Sequence, residues 1–211
     1  MNRPITNSAL LHGLYVITQT PNHLPIASAA LRGGARLIQL RDHETPAEKR
    51  LQIASELRRL TRDFGALFFV CDDVELAEQV SADGVHLEWS SLSLSDARQR
   101  LGEGALLSTG ANSIERALAA QNAGADYVGV GPIFPTQTKL DAGPAIGFDG
   151  LRAIFEAISI PIAAIGGLNA SNIAHIPTPM ASVVSALADL PNEEQMEVMT
   201  RRLIEELASR L

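Results

Sequence analysis

An α/β fold closed into one parallel barrel is what this sequence predicts, and three features predict it. Short apolar, β-rich runs alternate with amphipathic helical stretches along the whole of the 211 residues. Eight such runs can be counted, with no linker between any two. The first is not followed by the G-x-G-x-x-G turn of a doubly wound, dinucleotide-binding sheet. Eight βα units in this length close more naturally into a single (β/α)8 TIM barrel, its strands buried under a ring of helices, than they fan out into an open sheet. One domain over residues 1–211 is expected, with 1–12 an N-terminal extension and 192–211 a C-terminal helix.

The strands are expected at 13-GLYVIT-18, 36-RLIQLR-41, 67-LFFVC-71, 84-GVHL-87, 105-ALLST-109, 126-DYVGVG-131, 161-PIAAIG-166 and 181-ASVVS-185. Helical spacing is clearest in 46-PAEKRLQIASELRRLTRDFG-65, where Leu51, Ala54, Leu57 and Leu60 recur every three residues. Pro46 stands at its start, where a missing N–H costs nothing. Further helices are expected within 72–81, 93–102, 113–124, 147–158 and 192–211. Pro177 and Pro179 lack amide donors and should cut the seventh helix to barely two turns.

Composition narrows the function. With 46% apolar and 19% charged residues the chain reads as an ordinary soluble globule. Its net charge of -7, with no basic run, argues against nucleic acid or an anionic membrane surface as partner. No segment approaches the roughly 18 apolar residues of a membrane span, and the first ten residues lack the core of a signal peptide. The lone Cys71 excludes an internal disulfide and fits a reducing cytoplasm, where the protein is expected. A homo-oligomer is left open, because exposed apolar patches are not visible in a sequence.

Ligands in such barrels bind at the carboxyl ends of the strands, so polar residues just after each apolar run are the candidates. Gln39 and Arg41, two apart, share a strand face, and a guanidinium at the barrel rim suits a diphosphate or carboxylate unless Asp42 or Asp72 pairs with it. Asp72 and Asp73 could help to hold Mg²⁺, or could cap a helix. After strand seven, 165-IGGLNASNIA-174 sets two glycines and a cap-like Asn169 or Ser171 before a short helix, which would aim backbone amides at the mouth. With strand eight alongside, this suits a phosphate. The loop in 129-GVGPIFPTQTK-139 gathers Thr136, Gln137, Thr138 and Lys139 at a strand end. His86, Tyr127, Phe68, Phe69 and Phe134 are read as packing, and Trp89 as leaning over the pocket.

These stretches carry a resemblance. The blocks 38-IQLR-41, 71-CDDVELA-77, 82-ADGVHL-87, 124-GADYVGVGPIFPTQTK-139, 164-AIGG-167 and 183-VVSA-186 resemble those of the thiamine-phosphate synthase family and its relative, the thiazole tautomerase, over residues 13 to 190. The resemblance implies condensation of hydroxymethylpyrimidine diphosphate with thiazole phosphate, with Mg²⁺ and release of pyrophosphate. It implies that Thr136, Gln137, Thr138, Gly167, Val184 and Ser185 meet the thiazole phosphate. It further implies that Gln39, Arg41 and Lys139 meet the diphosphate, with Lys139 and Arg41 carrying catalysis, and that Asp72 binds metal.

Departures from the family pattern fall on one side. His43 replaces a lysine, Cys71 an asparagine, Gly110 a serine and Ser91 a second metal-binding aspartate, while the thiazole-phosphate residues are intact. His43 and Cys71 still stand at substrate-binding positions, and Asp73 or Glu88 is placed to repair the metal shell. Asn112 replaces the tautomerase histidine and cannot shuttle a proton near neutral pH. Synthase chemistry is therefore the leading expectation, with tautomerase-type isomerisation and phosphate binding without chemistry as alternatives.

Overall fold

A computed structural model describes residues 11–88, 92–138 and 142–209. Its strands are β1 (Gly13–Thr18), β2 (Leu37–Leu40), β3 (Leu67–Cys71), β4 (Gly84–Leu87), β5 (Leu106–Ala111), β6 (Tyr127–Val130), β7 (Ile162–Ile165) and β8 (Met180–Val183). They pair in parallel in chain order and β8 closes on β1, so the fold is a (β/α)8 barrel. The helices are α1 (His23–Arg32), α2 (Ala47–Asp63), α3 (Val74–Gln79), α4 (Leu94–Leu101), α5 (Ile114–Asn122), α6 (Gly147–Ala157), α7 (Ser185–Ala188) and α8 (Glu193–Ala208).

The strand period of two divides the apolar residues into two cores. Leu14, Val16, Ile38, Phe68, Val70, Val85, Leu107, Val128 and Ala181 belong to the cluster shared with the helices. The opposite parity, Tyr15, Leu37, Leu67, Phe69, Leu106, Tyr127, Ala163 and Met180, forms a separate buried cluster that fills the barrel. Followed to the carboxyl ends of the strands, that inward parity continues into Ile17, Gln39, Arg41, Cys71, His86, Gly110, Gly129, Ile165 and Ser182, which line a cavity. The barrel's packing thus forms the floor of the site.

Two acidic residues tie helices to strands at the amino ends. Asp83 Oδ2 accepts from the Phe68 amide at 2.8 Å and from Arg58 Nη1 of α2 at 2.6 Å. Asp126 repeats the arrangement with the Leu107 amide at 2.8 Å and Arg98 Nη2 of α4 at 2.6 Å. In the sequence the repeat is visible only as the similar segments 82-ADGVHL-87 and 124-GADYVGV-130. Both pairs are mostly shielded from water. We expect Asp83→Asn, which keeps an acceptor for the Phe68 amide but loses the charge, to cost about 1–2 kcal/mol in urea denaturation.

Three elements differ from the sequence reading. α1 was not read as a helix because His23, Ile26, Ala27, Ala29, Ala30 and Leu31 are all buried, leaving little polar face to reveal the period. It lies against α8, where Arg32 meets Glu193 and Glu197 at 2.9 and 2.8 Å. The seventh helix is shorter than two turns: only a 3-10 turn, Ile173–His175, forms before Pro177. β8 ends at Val183, and Ser185, expected at the end of the strand, opens α7 instead.

Candidate active site

The cavity at the carboxyl ends has a volume of about 370 Å³, within the range of small-ligand sites. Its floor is a polar network in which Gln39 is joined by Tyr127, a residue the sequence reading assigned to packing, and by Tyr15. Tyr15 Oη donates to Gln39 Oε1 at 2.9 Å and lies 2.9 Å from Tyr127 Oη. Burial raises the pKa of both phenols, so they stay neutral hydroxyls. Gln39 itself lines the cavity. His86, read as a core histidine, is half-buried and lines the cavity, with Nδ1 2.9 Å from Ser108 Oγ. Gly129 makes room for it: a Cβ there would stand 3.3 Å from His86 Cε1.

β2 delivers Arg41 to the rim, where it is half-buried and has no hydrogen-bond or ion-pair partner among the described residues. Neither Asp42 nor Asp72 pairs with it. Asp42 is engaged elsewhere: Oδ1 accepts the amides of Glu44 and Thr45 at 3.1 and 2.9 Å, and Oδ2 lies 3.2 Å from His23 Nε2. Burial alone would raise the Asp42 carboxyl, but Thr45, Glu44 and His23 outweigh it and hold the pKa at about 2. Burial lowers His23, against the pull of Asp42.

Across the barrel, Thr136 and Thr138 line the cavity after β6, Gly167 after β7, and Val184 and Ser185 after β8. The Thr138 amide donates to Thr136 Oγ1 at 3.2 Å, folding the loop tightly. Gly167 has φ +66, and a Cβ on it would stand 2.7 Å from Phe134 Cβ, so any side chain would push the β6 and β7 loops apart. In the loop after β7, Asn169 Oδ1 accepts the Ser171 amide and Asn172 Oδ1 the Asn169 amide, at 2.9 Å each, so these two amides are turned into the loop. Gln137 is exposed and outside the cavity lining. Lys139, Trp89 and Ser91 lie outside the described residues.

Beside the cavity, the ligating atoms of His43, Cys71 and Asp72 lie within 4.8 Å of one another, with His43 exposed and Cys71 buried. Of the three, Cys71 alone also lines the cavity. Asp73 is unavailable for the repair expected of it. Its Oδ1 caps α3 through the Leu76 amide at 2.9 Å, and its Oδ2 holds Arg50 at 3.1 Å. Glu88, Asn112, Gly110 and Arg116 line the cavity. Arg116 was missed in the sequence, although it stands in the first turn of α5, which faces the mouth.

A family model described as thiamine monophosphate synthase matches residues 14–190. The chain belongs to the thiamine monophosphate synthase family. It is 45% identical to the thiamine-phosphate synthase of Methanospirillum hungatei over 165 residues, covering 76% of this chain and 80% of that one. It is 42% identical to that of Moorella thermoacetica over 182 residues, covering 86% and 87%. Among solved structures, it is similar to thiamine phosphate pyrophosphorylase from Pyrococcus furiosus, with a TM-score of 0.85 and 36% identity over 94% of this chain and 96% of that one.

His43 and Cys71 lie on the β2 and β3 side, across the barrel from the Thr136–Ser185 wall, whereas Gly110 is on β5, next to β6. The donors present fit Mg²⁺ poorly. That cation takes oxygen ligands in near-octahedral array, whereas this cluster supplies one carboxylate beside an imidazole and a thiol.

Proposed function

We propose that the protein is a thiamine-phosphate synthase that joins hydroxymethylpyrimidine diphosphate to thiazole phosphate, giving thiamine phosphate and pyrophosphate. One observation carries this reading: Arg41, without a protein partner among the described residues, shares a cavity with a separate hydroxyl- and glycine-lined wall on the far side of the barrel. A condensation of two anions needs two anion sites in one chamber.

On this reading the thiazole phosphate sits against Thr136, Thr138, Gly167, Val184 and Ser185, with Gln137 carried over from the family motif although it is exposed outside the lining. The diphosphate lies toward Gln39, Arg41, His43 and Cys71, with Lys139 carried over from the family motif. The bond between the pyrimidine methylene carbon and the diphosphate oxygen breaks, its electron pair leaves with pyrophosphate, and the thiazole nitrogen captures the carbon. No proton need be moved by a base, so catalysis lies in the cationic groups that meet the leaving charge. A reducing cytoplasm belongs to the same reading, since it keeps Cys71 a thiol.

The test is to mix both substrates with a divalent cation and follow pyrophosphate. Release in step with thiamine phosphate supports the synthase. Thiazole-phosphate binding without release would overturn it in favour of a binding barrel, and isomerisation of the thiazole alone in favour of a tautomerase. Ser185→Ala should raise the KM for thiazole phosphate roughly tenfold, the loss of about one charge-assisted hydrogen bond, with kcat little changed in steady-state kinetics.

A further inference from the structure

The geometry points to a three-ligand site for a borderline cation such as Zn²⁺, built from His43, Cys71 and Asp72 in place of an all-oxygen Mg²⁺ site. Zn²⁺ binds imidazole nitrogen and carboxylate oxygen at about 2.0–2.2 Å and thiolate sulfur at about 2.3 Å in tetrahedral array, so two of its ligands stand roughly 3.3–3.6 Å apart. The three donors here already lie within 4.8 Å of one another. Closing on a cation takes a contraction of about an ångström, which rotation of the exposed His43 side chain can help to supply.

The donor types decide the metal. Nitrogen, sulfur and oxygen together suit Zn²⁺ and its transition-metal neighbours, and a thiol is a poor partner for Mg²⁺. Asp72 is held in place: its amide donates to the His86 carbonyl at 2.9 Å, and its Oδ1 accepts the Glu88 amide at 2.7 Å. Such outer hydrogen bonds orient metal-binding carboxylates. Cys71 belongs to both the cluster and the cavity lining, so a cation held on its sulfur would lie at the edge of the ligand space. Use of that position to bind the diphosphate rests on the synthase reading; the site itself does not.

The test uses Co²⁺ as a spectroscopic stand-in, added to full-length protein stripped of metal with a chelator. One equivalent should produce a thiolate-to-cobalt charge-transfer band, lost on adding Zn²⁺ but kept in a large excess of Mg²⁺. Binding should also release the thiol proton. Cys71→Ser should abolish the band. His43→Ala, an exposed change that spares the fold, should keep the band but weaken Zn²⁺ binding roughly 100-fold. A wild-type protein without the band, a band that Mg²⁺ removes, or unchanged Zn²⁺ affinity in both variants would overturn the site. No substrate enters this titration. A clear band without pyrophosphate release leaves the site standing and defeats the synthase reading, and release without a band does the reverse.

Discussion

Arg41→Ala should lower kcat for pyrophosphate release by about 10²–10³-fold while leaving the KM for thiazole phosphate nearly unchanged. The expectation follows from where the charge goes. Negative charge builds on the departing diphosphate, and Arg41 reaches the mouth from β2, the strand facing β6 across the closed barrel. A cation fixed in a partly water-excluded cavity acts more strongly on developing charge than on charge already solvated. No described carboxylate forms an ion pair with Arg41, which lines the cavity and can turn its guanidinium to the ligand. Arg41→Lys should restore only part of the loss, since an ammonium cannot make the two parallel contacts of a guanidinium. Steady-state kinetics with each substrate varied in turn checks both. A variant with unchanged kcat and a raised KM for thiazole phosphate would move Arg41 to the other anion.

The barrel was legible because strands buried on both faces leave unbroken apolar runs, and eight of these at even spacing admit few topologies. The shared face of Gln39 and Arg41 was legible for a related reason, since side chains two apart on a strand point the same way. Applied to β4 and β6, that rule would also have found His86 and Tyr127. Cys71 pairs with His86 in register, and His86 with Ser108, so inward parity on one strand fixes it on the next. The residues were misread because a histidine and a tyrosine in short apolar strands look like core by type alone.

What escaped the sequence depends on distances that spacing does not encode. His43 and Cys71 are 28 positions apart, and only the closure of β2 against β3 brings them to Asp72. Read singly, each substitution looked like the loss of a diphosphate contact. Together they form a donor set of a different kind. Asp73 shows the converse, an acid in the expected place whose two oxygens are consumed by a helix amide and by Arg50.

Asp42→Ala should destabilise the protein by about 2–4 kcal/mol at neutral pH, the cost of leaving buried loop amides without their charged acceptor. Asp42 stakes the loop that carries Arg41 and His43, through the amides of Glu44 and Thr45, Thr20 Oγ1 at 3.4 Å and His23. Its removal leaves two loop amides without their acceptor and takes the carboxylate away from the buried imidazole. The pH dependence has a definite sign. Asp42 titrates at about 2 in the fold against an ordinary 3.8, so its contribution is complete above about pH 5 and is lost as pH falls toward 2. The difference corresponds to about 2 kcal/mol. His23 is also lowered, from 6.5, so its share is complete above that value and is lost as pH falls through its folded value. Both groups make the wild type less stable in acid. Asp42→Asn should flatten the slope of unfolding free energy between about pH 4 and 2, measured by urea denaturation across pH, while His23→Gln should flatten it only below about pH 6.5. A slope unchanged in Asp42→Asn would show that the acid limb comes from other carboxylates, and that the loop bearing Arg41 is held by packing instead of by this charge.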